Sequence, residues 1–154
     1  MIRFERVEDE DVSILKDIQM AAFEEDVVKY GSGPMGYNRV DWHTSLIENK
    51  EYYFKILSEN KIVGGVVVFD KGEGHYHLGR IFIDKDYQNR GIGEKAIRFL
   101  ENEFKDAKKW TLDTPYLSFR NHHFYEKMGY IKVGETVPDK ESGFYLFLYE
   151  KHIG

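Results

Sequence analysis

Apolar and polar residues alternate along this chain with a period that changes several times, and each change marks an element. Ile2 to Val7 alternates with the period of two of a short strand. The acids from Glu8 to Asp11 suit a first helical turn, where the backbone dipole favours negative charge. Ile14, Leu15, Ile18 and Ala22 then recur at helical spacing, so one helix is expected over about Asp9 to Glu25. Residues 29–37, reading KYGSGPMGY, interrupt the pattern and read as a mobile loop before a second helix at about Asn38 to Asn49. Tyr52 to Leu57 and Ile62 to Phe69 read as strands joined by the polar turn Ser58 to Lys61. After a turn at Lys71 to Gly74, His75 to Ile83 is the next strand. Ile92, Ala96, Phe99, Leu100 and Phe104 form the apolar stripe of a helix and are expected in the core. Trp110 to Thr114 follows as a strand, then a helix over about Ser118 to Met128 that stops at Gly129, a good left-handed terminator. Tyr130 to Glu135 and Phe144 to Glu150 complete the strands. Helices lie between strands and no repeat or linker intervenes, so residues 1–154 read as one α/β domain.

Composition narrows the class. A chain of 154 residues is long enough for one sizeable core, and 42% apolar content suits a packed domain rather than a disordered one. A formal charge of −5 argues against nucleic acid as a partner, because phosphate neutralisation needs clustered positive charge. There is no cysteine, which removes disulfides, a thiolate nucleophile and cysteine-based zinc sites. No constellation of His, Asp and Glu stands out as a metal site, so none is expected. No apolar run approaches the ~20 residues of a membrane span, and Met1 to Glu5 lacks a signal-peptide core. A cytoplasmic protein without membrane attachment is the expectation.

The most informative stretch is Gln88-Asn89-Arg90-Gly91-Ile92-Gly93, which opens a helix directly after a strand. Free amides at a helix start attract phosphate oxygens, and glycines let the backbone approach them. No Gly-Lys-Ser/Thr follows, so this is not a P-loop, and the third glycine of the dinucleotide fingerprint is missing. On spacing alone, a phosphate cradle and a plain turn before a helix both stand.

Gln88-x-x-Gly91-x-Gly93, followed by Asn121-His-His-Phe-Tyr125-Glu-Lys-Met-Gly129-Tyr130, resembles the two signature segments of the GNAT superfamily of N-acetyltransferases. Tyr130 stands where that family usually has Phe. The resemblance covers residues 78–134 in order and spacing, and nearly the whole chain in order of elements. It implies a mixed, twisted central sheet of about seven strands flanked by about four helices, with central strands that splay to admit acetyl-CoA. It implies acetyl transfer to a primary amine of a small molecule or peptide by direct attack on the thioester. By the same resemblance the amides of Asn89, Arg90, Gly91, Ile92 and Gly93 hold the pyrophosphate, with the Gln88 and Arg90 side chains alongside. The backbone of Ile81, Phe82 and Ile83 pairs with pantetheine, Asn121 holds pantetheine or a water, and the Tyr125 hydroxyl protonates the departing thiolate. A tyrosine, with a pKa of ~10, suits a proton released only as the thiolate forms. Plainer readings stand beside these: Arg90 as a solvated loop residue, Ile81 to Ile83 as core, and Tyr125 as an aromatic packed on the sheet.

The general base is not evident. Many members of the family carry a glutamate on the strand before the glycine loop, and Leu78-Gly79-Arg80-Ile81 has no acid there. His77 is the nearest titratable group, with an ordinary pKa of ~6.5, and an exposed strand histidine explains it equally well. Asp113 is a second candidate, acting through water. His75, His122 and His123 are expected to be exposed, and Phe124 and Met128 to be core. Tyr30, Tyr37, Asp41, Trp42 and His43 are the candidate acceptor wall, although an aromatic cluster beneath a loop accounts for the same residues. The negative net charge favours a basic or amine-bearing acceptor. Transfer from a larger acyl-CoA, or a catalytically idle CoA-binding module, are the alternatives. Members of the family often dimerise, and the aromatic run Phe144 to Tyr149 reads either as a dimer edge or as core.

Overall fold

Glu59 and Asn60 take φ values of 48° and 70° in the computed structural model, which describes the whole chain, Met1–Gly154. Two successive left-handed residues are what a tight hairpin needs, so β2 (Tyr52–Ser58) folds straight back into β3 (Lys61–Gly72). β1 (Ile2–Arg6) flanks β2, and β4 (His75–Ile83) runs antiparallel to β3. β5 (Lys109–Pro115) is parallel to β4; β6 (Ile131–Glu135) and β7 (Leu146–His152) close the far side. The order across this seven-stranded mixed sheet is β1-β2-β3-β4-β5-β7-β6. β7 is therefore an interior strand between β5 and β6, not an edge. Tyr149 is 1% exposed, and its hydroxyl donates to Glu126 at 2.9 Å. The edge strands are β1 and β6, and Ile131 and Val133 of β6 face solvent.

The feature that positions the site is a division of the sheet. β4 keeps register with β5 only at His75↔Lys109, Tyr76↔Trp110 and His77↔Thr111. Two residues later β4 bulges: Val68 pairs with Leu78 and Val67 with Arg80, leaving Gly79 unopposed. An extra residue in one strand bends it and increases its twist. The bulge packs so tightly that a Cβ on Gly79 would come within 2.3 Å of the Phe69 ring. Beyond it β4 follows β3 as far as Ile83, while β5 follows β7 as far as Pro115. The two halves diverge as a wedge, and the β4 edge facing β5 has no strand partner past His77.

Five α-helices cover the two faces. The expected first helix is broken into a 3-10 turn at Asp9–Asp11, α1 (Val12–Ala22) and α2 (Glu24–Tyr30). Glu24, Glu25 and Asp26 supply the break, because three acids favour a new helix N-terminus over a continued interior. α2 ends at Gly31, whose φ of 84° is left-handed. α3 (Val40–Glu48) and α1 bury Leu46 and Leu15 with Tyr53, Val67 and Phe82 on one face of the sheet. On the other face α4 (Ile92–Glu103) and α5 (Phe119–Lys127) enclose Ile97, Leu100, Trp110, Leu112 and Tyr125. His122, expected at the surface, is buried. One turn before Tyr125 it shares the face turned to the sheet, stacks on Phe147 with ring centres 4.4 Å apart, and its Nε2 lies 2.9 Å from the Pro115 carbonyl. His123 is exposed, and His75 is half-buried.

Candidate active site

The glycine loop lies at the open end of β4. The amides of Asn89, Arg90, Gly91, Ile92 and Gly93 meet no acceptor in the protein; the first engaged amide is that of Lys95, 3.2 Å from the Gly91 carbonyl. Asn89 and Gly91 take φ values of 64° and 77°, and α4 begins without a side-chain cap. Consecutive unclaimed N–H groups at the positive end of a helix form a cradle for an anion. The two glycines act differently. Gly91 faces open space and is needed for its backbone angle, whereas a Cβ on Gly93 would sit 3.1 Å from the Phe124 ring, where α4 meets α5.

Side chains around the loop are partly committed elsewhere. Gln88 Nε2 donates to the Ile83 carbonyl at 3.0 Å, tying the loop to the end of β4 and occupying an acceptor expected to face ligand. The Arg90 guanidinium lies over the Tyr87 ring at 5.0 Å, with no hydrogen bond. Arg120, in the first turn of α5, donates to the Asn89 side chain and brings a second cation to the cradle. Its sequence signal was its place immediately before Asn121 in the second signature segment. Asn121 itself is exposed, its Nδ2 3.3 Å from Thr114 Oγ1.

Two titratable groups, His77 and Asp113, meet where β4 and β5 part, and a third, Tyr125, lies within range of the Asp113 charge. Tyr125 is 8% exposed, and its hydroxyl has no protein partner. Trp110 Nε1 is the one sealed polar side-chain atom without a partner, so the Tyr125 hydroxyl keeps contact with solvent. Burial, and secondarily the charge of Asp113, push this hydroxyl well above its ordinary value. Asp113 Oδ2 lies 3.9 Å from His77 Nε2. Burial lowers the His77 pKa and so favours a neutral ring, against an opposing push from the Asp113 charge. On its other side, His77 Nδ1 is 2.8 Å from Thr111 Oγ1, which also lies 2.8 Å from His75 Nε2. Thr111 has one proton for two ring nitrogens. If His77 Nδ1–H donates to Thr111 and Thr111 donates to His75, His77 Nε2 is left as a free acceptor facing Asp113.

The expected acceptor wall does not assemble as one surface. Tyr30 closes the wedge: its hydroxyl is 2.9 Å from Ser118 Oγ, and its ring packs against Tyr116 and Phe144. With Lys29 Nζ on the Leu117 carbonyl at 2.6 Å, α2 thus bridges from one half of the sheet to the other. Tyr37 instead packs on Gly33 and lines a surface hollow with Met20, Val27 and Val28. Asp41 is held by Arg39 at 2.6 Å, both well exposed. Trp42 lies under Arg80, with the guanidinium 4.3 Å from its ring centre. His43 is fully buried, 2.7 Å from the Tyr53 hydroxyl and 3.2 Å from Gln19 Nε2. Arg80 was not singled out from the sequence, although a lone charge after a glycine in an apolar strand is its signal.

A profile of the Acetyltransferase (GNAT) family matches residues 13–130. The chain is 34% identical over 73 residues to the uncharacterized protein YrkN of Bacillus subtilis (strain 168), covering 47% of this chain and 40% of that one. It thus spans well under two-thirds of that relative's length. The fold is similar to the ribosomal-protein-S18-alanine N-acetyltransferase of Escherichia coli, with a TM-score of 0.79 at 15% identity, covering 100% of this chain and 95% of that one. It is also similar to the PaiA N-acetyltransferase of Thermoplasma acidophilum in complex with coenzyme A, with a TM-score of 0.77 at 14% identity and 99% of both chains covered.

Proposed function

The chain belongs to the GNAT family of acetyltransferases, which draw their acetyl group from acetyl-CoA, and from that premise we propose that it acetylates a primary amine by direct attack. The observation that carries this reading is the wedge between β4 and β5 opening beside five consecutive unclaimed amides. The residues present fit acetyl-CoA. Asn89 to Gly93 offer donors to a pyrophosphate, Arg90 and Arg120 offer positive charge, and the unpaired β4 edge offers backbone groups to an amide-bearing arm. The donor supplies an activated acetyl group on sulfur.

The chain's own residues then have three tasks. Asp113 and His77 receive the acceptor's ammonium group and take its proton, which suits a ring held neutral near pH 7. The Tyr125 hydroxyl, held firmly protonated by burial, donates a hydrogen bond where negative charge develops on the leaving sulfur. Full proton transfer from it is uphill, because its raised pKa stands well above the ~8.5 of a thiol. Tyr30 and the α2 bridge shield the wedge from water on the acceptor side. No cysteine is available for an acyl-enzyme.

The testing experiment is thiol release from acetyl-CoA against amino acids, polyamines, aminoglycosides, lysine peptides and N-terminal peptides. Amine-dependent release that saturates with one class supports the reading. Tight CoA binding with no release from acetyl-CoA or longer acyl-CoAs would refute it and leave an idle CoA-binding module.

A further inference from the structure

Arg80 carries more donors than the protein uses. Its Nη1 donates twice, to Gln19 Oε1 at 2.9 Å and to the Met35 carbonyl at 2.8 Å. Nε and Nη2 have no acceptor at all, yet neither is among the sealed, partnerless polar atoms, so this edge of the guanidinium opens onto accessible space. Nε and Nη2 form the edge that grips a carboxylate side-on through two parallel bonds. No carboxylate of the chain pairs with it: none of the ion pairs involves Arg80. The group is held rigidly, by Trp42 beneath it and two hydrogen bonds at its other edge. A largely buried cation costs free energy unless something pairs with it. That cost shows as a pKa lowered to about 10 by burial, with Tyr53 and Asp113 opposing the shift.

Its place in the fold connects it to the reaction. Arg80 follows the Gly79 bulge, just past the point where β4 leaves β5. It projects from the same face as Phe82, towards α1 and α3, and Asp113 of β5 is near enough for its charge to be felt. Asp113 in turn faces His77. A fixed, unpaired cation thus stands beside the groups that receive the acceptor's amine. Net charge, which favours a basic acceptor, is outranked here, because surface charges are screened beyond about 8 Å while a buried one nearby is not.

We propose that the open Nε/Nη2 edge of Arg80 binds a carboxylate of the acceptor, so that the substrate class is an amine bearing a carboxylate, such as an amino acid, rather than a polyamine. This rests on reading the wedge as the acetyl-transfer site. Asp113 and His77 take the positive end of the acceptor and Arg80 the negative end, which orients the amine and rejects polycations. A bidentate charge-assisted pair supports a discrimination of about tenfold to a hundredfold.

The test sets each proteinogenic amino acid beside its carboxamide, with spermidine as the polycation, and measures kcat and KM for the wild type, Arg80→Lys and Arg80→Gln. In parallel, calorimetry on the CoA complex compares binding of N-acetyl amino acids with that of their amides, a readout that needs no turnover. The expected result is an acid-to-amide ratio in kcat/KM of at least tenfold, carried mainly by KM. The ratio falls towards one in Arg80→Gln and is partly kept in Arg80→Lys. Thermal unfolding and CoA affinity of the variants separate this from damage to the Met35 loop. Equal use of acids and amides, or a preference for spermidine, overturns the carboxylate site and leaves acetyl transfer standing. Arg80-dependent binding of acids without turnover of any amine keeps the carboxylate site and removes the transfer reading.

Discussion

Lowering the pH should destabilise this fold through one ring that holds no place in the reaction. Arg80 donates to Gln19 Oε1, so the Gln19 amide must turn its Nε2 to His43 Nε2. His43 Nε2 is therefore an acceptor and carries no proton, and Nδ1–H donates to the Tyr53 hydroxyl at 2.7 Å. Protonating Nε2 would set two donors against each other in a fully buried site. Burial, with the Arg80 charge next, pushes the His43 pKa down to about 4. Its unfolded value is about 6.5. Above that pH both states are neutral and the stability is full; as pH falls from 6.5 towards 4 only the unfolded chain gains the proton, and stability is lost. Linkage puts the loss at ~2 kcal/mol by pH 5, and about 1–2 kcal/mol once water penetration to the ring is allowed for. Urea unfolding at pH 7.5 and pH 5 measures it, with His43→Gln as the non-titrating control. The variant should start less stable and lose about 1–2 kcal/mol less than the wild type between the two pH values, since contributions from carboxylates cancel in the comparison. Equal losses in both proteins would refute the argument.

Four further outcomes follow from the same geometry. Tyr125→Phe should lower kcat by roughly a hundredfold with CoA affinity unchanged; unaltered turnover would make the hydroxyl a spectator. Asp113 props up the His77 pKa, so Asp113→Asn should move the acid limb of the kcat/KM profile to lower pH and reduce its plateau, whereas an unmoved limb would uncouple the two groups. Gly79→Ala drives a methyl to 2.3 Å from the Phe69 ring and should cost about 1–3 kcal/mol in urea unfolding; a neutral result would mean the bulge is slack. Gly91→Val forces a β-branched residue to a φ of 77°, at ~1–3 kcal/mol of strain, and should weaken CoA binding by calorimetry; unchanged affinity would take the loop out of the site.

Most of what the chain does locally was legible from its residues. The stripe of Ile92, Ala96, Leu100 and Phe104 is buried as its spacing requires, and β4 begins and ends where the pattern placed it. The glycine loop and the Tyr125 helix became candidates through a family resemblance carried by residues adjacent in sequence, which a helix start and an i, i+4 face, as local objects, allow. Errors arose where distant partners decide. His122 and His43 read as polar and available, but Phe147 covers one and Gln19 with Tyr53 encloses the other. The run Phe144 to Tyr149 has the same sequence whether it is edge or interior, and only pairing with both β5 and β6 makes it interior.

The sequence by itself determined most of the elements, the break at Glu24 excepted, and that a helix begins with free amides after a strand, since each depends on periodicity and backbone preference within a few residues. Tertiary structure alone decided that β4 parts from β5 after His77, that Asp113 faces His77 there and is near enough to Tyr125 for its charge to be felt, and that Arg80 stands beside them with one edge free. Those relations join positions up to 48 residues apart, as the Tyr125 and His77 numbers show. They are set by a one-residue bulge at Gly79 and by which side of a bent strand each side chain then takes, a geometry that no local pattern encodes.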